Sequence, residues 1–442
     1  MSKRIRTRLK GLFHQFTSNA ASSGIVLIIA SIVALVCANS ALADDYARIW
    51  ATKLTFGIKD AIISKPILLW INDGLMAMFF FVVGLEIKRE IMAGELSSWK
   101  KASLPIIAAI GGMVIPALIY VIFNANTPSA AGWGVPMATD IAFSLGILAL
   151  LGKRVPLTLK IFLTALAIAD DLGAVLVIAF FYSSKITFSN VVIGAIFLGL
   201  MITMNLAGVK RKWAYALPGI LGLWLAFLLS GVHATIAGVL AAFAIPARMT
   251  INTDEFTADI QPLIDKLKSA PRLKGPLLSK QQQTVIVAIE KKSRQYEVPL
   301  QSLEHSMHPW VIFLIMPIFA LSNAGVTISG DIQAILTLPV SLGIITGLFI
   351  GKPLGIFLFT WLACKFKLAS LPPGTNWWHI IGLGALAGIG FTMSLFVSGL
   401  AFKSNEFVQA SKVSIIIASL LSGSMGYLIL KKTLPKITGR LK

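Results

Sequence analysis

Apolar residues run through this chain in long blocks rather than in alternation. Windows of bilayer-spanning length, about 20 residues each, predict twelve helices. They lie at 22–43, 66–86, 103–123, 132–151, 158–182, 188–208, 213–229, 231–246, 307–326, 340–363, 380–401 and 409–430. The strands of an outer-membrane barrel would instead alternate in polarity over about ten residues. The pattern predicts an all-α polytopic membrane protein, and no repeat of about 20–50 residues is visible.

Two connecting segments break the pattern. In the stretch 44–65, Leu54, Phe56 and Ile58 alternate with Lys53, Thr55 and Gly57, a period of two that predicts a short extramembrane β-hairpin. The stretch 247–306 is polar and carries Pro262, Pro271, Pro276 and Pro299, which predicts an extended loop with one short helix around Gln281–Gln295. The chain therefore divides into a segment 1–21, spans 1–8 over 22–246, the loop 247–306, spans 9–12 over 307–430 and a tail 431–442. The basic start, the run Ile25–Cys37 and Ala41-Leu42-Ala43 imitate a cleavable secretory signal. The run approaches full membrane length and its basic region is long, which favours a retained first span.

Composition excludes a soluble protein. The chain is 56% hydrophobic and 13% charged, with a mean hydropathy of +0.81, and its charged fraction is about half the ordinary one. Its net charge of +20 would suggest nucleic acid as the partner of a soluble protein. In a membrane protein, Lys and Arg mark the inner loops instead. With the amino terminus inside, the inner segments hold 31 of them and the outer side seven. Both termini are thus expected in the cytoplasm, with lipid and not nucleic acid as surroundings. Cys37 and Cys364 suggest neither a disulfide framework nor a metal spacing.

Four ionisable residues fall deep within apolar blocks: Asp140, Asp170, Asp171 and Lys352. At about 1.5 Å rise per residue, all four reach similar depth near the midplane. Each carboxylate there costs roughly 2.5–3.5 kcal/mol on insertion scales, so water, a cation, a proton or Lys352 must offset it. Adjacent Asp170 and Asp171 project about 100° apart on a helix and can face different partners around one cavity. Burial and mutual repulsion favour the protonated carboxyl, whereas a lysine or metal ion favours the charged one. Such a pair can hold protons or a hard cation. One Asp–Lys pair could merely lock helices together, but three carboxylates against one lysine leave negative charge that a static core has no reason to tolerate.

Backbone signals fall in the same places. Gly132, Gly134 and Pro136 precede Thr139-Asp140, and Gly382, Gly384, Gly388 and Gly390 crowd the eleventh block. These are the middle members of two three-span groups, 103–182 and 340–430. Interrupted helices in corresponding positions point to a transporter site; glycine-mediated helix packing would leave the same signature.

Long segments then carry a resemblance. They include INDGLMAMFFFVVGLEIKREI at 71–91, MATDIAFSLGILALLGKRVP at 137–156, LTALAIADDLGAVLVIAFFYS at 163–183 and LSGVHATIAGVLAAF at 229–243. LEHSMHPWVIFLIMPIFALSNAG at 303–325, GKPLGIF at 351–357 and GIGFTMSLF at 388–396 follow in order. Over nearly all its membrane part the chain resembles the NhaA-type bacterial sodium/proton antiporters, themselves a type example of inverted-repeat architecture. The resemblance implies twelve helices, two inverted repeats and two broken helices crossing at mid-membrane. It implies Asp171 as principal cation ligand, Asp170 as its proton-carrying neighbour, Lys352 as the partner of Asp170, and Thr139 and Asp140 at the unwound fourth span. Asp140 would there balance helix-end charges and Lys352. It also implies pH-response roles for Glu86, Glu304 and His233. Glu86 and Glu304 would be equally ordinary as charged residues at span ends, and His233 as a hydrogen-bonding group near the outer face. The stretch 44–65 resembles the family's dimer hairpin, while the loop before Leu303 is much longer than the family's usual connection.

The expected function is an electrogenic, pH-regulated secondary antiporter of the bacterial inner membrane, exporting Na⁺ or Li⁺ for entering protons. It needs no cofactor and is no enzyme. An intramembrane aspartyl protease using Asp140 and Asp170 is the rival with sound chemistry, but it explains neither Asp171 nor Lys352. A cation channel needs no paired protonation sites.

Overall fold

A computed structural model describes residues 20–58, 61–183, 186–248, 253–271, 277–327 and 332–435, and its helices follow the apolar blocks. Among the described residues, eight helices are long and apolar enough to cross a membrane, from Ile67–Ala93 to Asn405–Thr433. Two pairs qualify when each is taken as one bent span: Gly24–Ala38 with Ala43–Ala51, bent by 112°, and Trp377–Ala387 with Phe391–Ala401, bent by 48°. Two shorter apolar helices, Lys212–Leu228 and Ala234–Ala244, fall in the seventh and eighth blocks. This is a multi-span helical membrane protein.

The stretch 44–65 is strand only in its second half. It opens as the helix Ala43–Ala51, whose first turn carries Asp44 and Asp45, a placement that the helix dipole favours. Tyr46 pins this helix to the ninth span by donating to the Leu321 carbonyl. The alternation beginning at Lys53 does form a strand, Lys53–Ile58, paired antiparallel with Ala61–Pro66 in the register Lys53↔Pro66 to Phe56↔Ile63. Trp70 fixes the pair to the second span: its indole N–H donates to the Leu54 carbonyl at 3.2 Å, and its ring meets Phe56 edge-on. The end of the molecule bearing these strands is called the sheet end below.

The loop before the ninth span holds two helices rather than one. Thr253–Ser269 and Lys280–Tyr296 pack antiparallel, with Phe256 against Tyr296 and Lys292 paired to Asp259 at 2.6 Å. Pro262 concealed the first of them. Phe256, Ile260, Leu263, Ile264 and Leu267 nevertheless form a helical stripe, and Pro262 sits on the exposed side, where water can take the carbonyl its ring leaves unbonded. The ninth span also starts earlier than its apolar block, at Pro299.

Two breaks position the candidate site. The fourth span is a 3₁₀ segment Ala130–Met137, an extended stretch over Ala138–Asp140 and a helix Ile141–Leu150. The eleventh stops at Ala387 and restarts at Phe391. The breaks lie against each other. The Asp140 N–H donates to the Ile389 carbonyl at 2.7 Å, and the Thr139 and Ser144 hydroxyls donate to the Ala387 and Leu386 carbonyls at 2.8 and 2.7 Å. Each break thus satisfies backbone groups that the other frees, a requirement where no water is at hand.

The tenth span carries Lys352 directly after a wide turn, Gly347–Gly351, and before Pro353. It packs on the third span, Trp99–Asn124, at Gly111 and Gly355, where a Cβ on either would overlap the other's carbonyl oxygen. Gly355→Leu should therefore separate the two helices and destabilise the fold by about 1–3 kcal/mol, seen as a lower Tm in detergent. An unchanged Tm would refute this close approach.

Candidate ion-binding site

The four mid-membrane charges meet at the breaks. Asp140 is 0% exposed, Asp170 1%, Asp171 2% and Lys352 0%, so none relies on bulk water. Each finds a different solution.

Asp140 is spent on helix ends. As N-cap of Ile141–Leu150 it accepts from the Phe143 N–H at 3.0 Å through Oδ1. Its Oδ2 accepts from the Thr392 N–H at 3.1 Å and from the Thr392 hydroxyl. One carboxylate therefore caps the restarting halves of both broken spans. Each helix start carries roughly half a positive charge, so together they balance the carboxylate. Lys352, by contrast, turns to Asp170: its Nζ lies 2.8 Å from Asp170 Oδ2 and also donates to the Met137 carbonyl. That carbonyl ends the 3₁₀ segment, where no intrahelical donor remains. Asp170 Oδ1 is buried and accepts no hydrogen bond among the described residues, so it is the oxygen open to a proton.

Asp171 lies one residue along the same helix, Leu157–Phe181, and reaches a different environment. It lines a cavity of about 420 Å³ together with Thr139, Asp140, Thr164 and Thr392. Phe79, Val82, Val83 and Met316 form apolar walls, and Glu86, Arg89, Glu304 and His308 also line it. The last four are ionisable and lie in pairs: Arg89 is 3.3 Å from Glu304, and His308 is 3.8 Å from Glu86. Glu86 and Glu304 thus share one cavity with Asp171. His233 does not line it. Its Nε2 is 2.7 Å from the Tyr182 carbonyl, beyond the Phe181 end of the Asp170–Asp171 helix.

Thr392, Arg89, His308 and the Met137 carbonyl were not singled out from sequence. Thr392 had a signal, as the second residue of a helix restarting after Gly388-Ile389-Gly390. Arg89 and His308 look like ordinary span-end charges until the fold brings the second and ninth spans together.

This arrangement can hold one hard cation at the cavity-facing carboxylate of Asp171, and a proton at either member of the Asp170–Asp171 pair. Comparison with known proteins identifies the family. The pattern of the Na⁺/H⁺ antiporter 1 family matches residues 14–430. The chain belongs to this antiporter family. It is 50% identical to the Na⁺/H⁺ antiporter NhaA of Oleidesulfovibrio alaskensis, over 96% of this chain and 94% of that one. It is 46% identical to NhaA of Helicobacter pylori, over 97% of each chain. The identity to NhaA 2 of Syntrophotalea carbinolica is also 46%, over 96% of this chain and 97% of that one. The matched residues 14–430 include both breaks and the residues that line the cavity.

Losing Lys352 would leave the buried Asp170 without its ion-pair partner. Lys352→Ala should lower stability by roughly 3–5 kcal/mol, the usual cost of breaking a buried pair, and Asp170→Asn in the same chain should recover part of it. Melting curves of the single and double variants in detergent test the pair; equal Tm for Lys352→Ala and the unchanged protein would refute it.

Proposed function

We propose that this protein exchanges Na⁺ or Li⁺ for protons across the bacterial inner membrane, with both termini and the charged end of the cavity in the cytoplasm. The observation that carries this reading is the unequal treatment of the three buried carboxylates. Asp140 is balanced by helix ends and Asp170 by Lys352, whereas Asp171 faces a cavity and makes no ion pair among the described residues.

A cation entering from the cytoplasm passes Glu86 and Glu304 and is held by Asp171, with the Thr139 hydroxyl oxygen at hand. Movement of one helix group against the other turns the site outward, where protons displace the cation. Cation and protons compete for the same carboxylates, so neither crosses without the other's exchange. The second carboxylate supplies electrogenicity. When Asp170 is protonated it releases Lys352, which the Met137 carbonyl continues to hold. Two protons per cation move net charge inward, and the membrane potential then contributes about 2.3 kcal/mol per charge per 100 mV.

The group of Glu86, Arg89, Glu304 and His308 supports a pH response at the cytoplasmic end. Loss of protons from Glu86 and Glu304 as pH rises makes the entrance more negative and raises the local cation concentration. Twelve membrane crossings follow if each bent pair is one span and Lys212–Leu228 and Ala234–Ala244 also cross. The strand pair at 53–66, with Leu54 and Phe56 exposed on one face, supports a homodimer joined outside the membrane. Each protomer keeps its own complete site.

Two expectations test this reading. In liposomes with an acidic interior, Na⁺ or Li⁺ but not K⁺ should dissipate the pH gradient, and Asp171→Asn should abolish this while inserting normally. Normal exchange by that variant would refute the assigned cation site, and uncoupled current would favour a channel. Replacing residues 53–66 with a Gly/Ser linker should give monomers that still exchange Na⁺. A variant that remains dimeric by size analysis would remove the strands from the interface.

A further inference from the structure

The 3₁₀ half of the fourth span asks for support that its own backbone cannot provide. It runs eight residues, Ala130–Met137, whereas 3₁₀ segments beyond three or four residues are uncommon, and Pro136 removes one of its donors. Its position matters because its last carbonyl, that of Met137, receives Lys352. Ser394 supports it near that end, donating to the Val135 carbonyl at 2.8 Å.

The other end is held by Tyr182, the residue that terminates the Asp170–Asp171 helix. Its hydroxyl donates to the Ala131 carbonyl at 2.8 Å and accepts from the Gly134 N–H at 3.0 Å. Trp133 stacks on the Tyr182 ring and meets Phe181 edge-on. The approach depends on Gly134: a Cβ there would stand 2.7 Å from the Tyr182 hydroxyl oxygen.

Tyr182 also makes a contact in a second direction. Its main-chain carbonyl, unpaired at a helix C-terminus, receives His233 Nε2 at 2.7 Å. Because the acceptor is a carbonyl, the imidazole must donate, which both its Nε2-protonated neutral form and its charged form can do. His233 begins the helix Ala234–Ala244, which belongs with the second span: Gly238 lies so close to the Ala77 carbonyl that a Cβ would overlap it, and Gly84 faces Val239 and Ala242. The second span also forms walls of the Asp171 cavity through Phe79, Val82, Val83 and Glu86. The His233 bond therefore links, near the sheet end, the helices that the cavity separates toward the opposite end.

We propose that Tyr182 is a positioning residue for the ion site and that its bond with His233 is a sheet-end latch, closed while the cavity faces the other way. This rests on the exchange reading above, in which the helix groups must part at the sheet end for the site to release its cation. Tyr182 holds the 3₁₀ segment in place through its side chain in both orientations. The His233 bond has to break each cycle, and its strength sets the share of molecules facing inward.

The test uses the full-length protein in liposomes with Cys37 and Cys364 replaced by Ser and Val135→Cys as reporter, since Val135 is buried in the 3₁₀ segment. A membrane-impermeant maleimide is added at the sheet end. His233→Ala should raise the labelling rate about five-fold, the change expected from losing one hydrogen bond, and should raise the KM for cytoplasmic Na⁺. His233→Gln, whose amide can still donate, should restore both values. Tyr182→Phe should raise labelling as well, because the freed segment no longer covers its own interior. If folding of Tyr182→Phe suffers, the His233 pair of variants decides alone. Labelling unchanged in His233→Ala, or raised equally in His233→Gln, would overturn the latch. Labelling reports without transport, so a protein that fails to exchange Na⁺ yet shows the His233 pattern would sink the exchange reading and keep the latch.

Discussion

Compensation of buried charge at mid-membrane is the constraint on which the rest of the structure depends. Three carboxylates and one ammonium lie where insertion scales assign each a cost of roughly 2.5–3.5 kcal/mol. Two broken spans, a proline-flanked lysine and a cavity meet that cost in three ways. The helix breaks exist because Asp140 needs two helix starts, and those starts exist because the chain is interrupted at both places. Lys352 finds in one reach both Asp170 and the carbonyl that the fourth-span break leaves over. Removing Lys352 takes away the partner of Asp170, and removing Asp140 takes away the cap of two helix starts.

The proposed transport site differs from a rigid polar core in how its charges are paired. A core would pair every charge, as Asp140 and Asp170 are paired here. Asp171 instead faces the cavity, in line with Glu86, Arg89, Glu304 and His308. A protease dyad would need two carboxylates sharing one proton. Asp140 has both oxygens committed to helix N–H groups and Asp170 is committed to a lysine, so this pair does not form that chemistry.

Glycine and proline serve the same end by different means. Gly111 and Gly355 let the third and tenth spans touch backbone to backbone, which brings Lys352 to the depth of Asp170. Gly134 admits the Tyr182 hydroxyl to the 3₁₀ segment. Pro353 and Pro136 cannot donate, and each stands next to an irregular stretch of its span. Small and donor-less residues that a hydropathy profile passes over thus decide where the charged ones can stand.

Hydropathy and charge alone determined the membrane class and the places of the apolar blocks, because burying a helix in lipid demands long apolar runs whatever their partners. Counting carboxylates against lysines also identified the mid-membrane cluster, since each buried charge is costly in any fold. The strand at Lys53–Ile58 was visible in its alternation, whereas the helix Ala43–Ala51 before it and the helix Thr253–Ser269 were masked by polar residues and by Pro262. Only the tertiary structure decided which carboxylate meets which partner. Asp170 and Asp171 are neighbours in sequence, and the turn of about 100° between them acquires meaning only once Lys352 stands on one side and the cavity on the other. Arg89, His308 and Tyr182 are likewise ordinary in sequence. Their partners lie on other spans, and no local pattern encodes a contact between helices far apart along the chain.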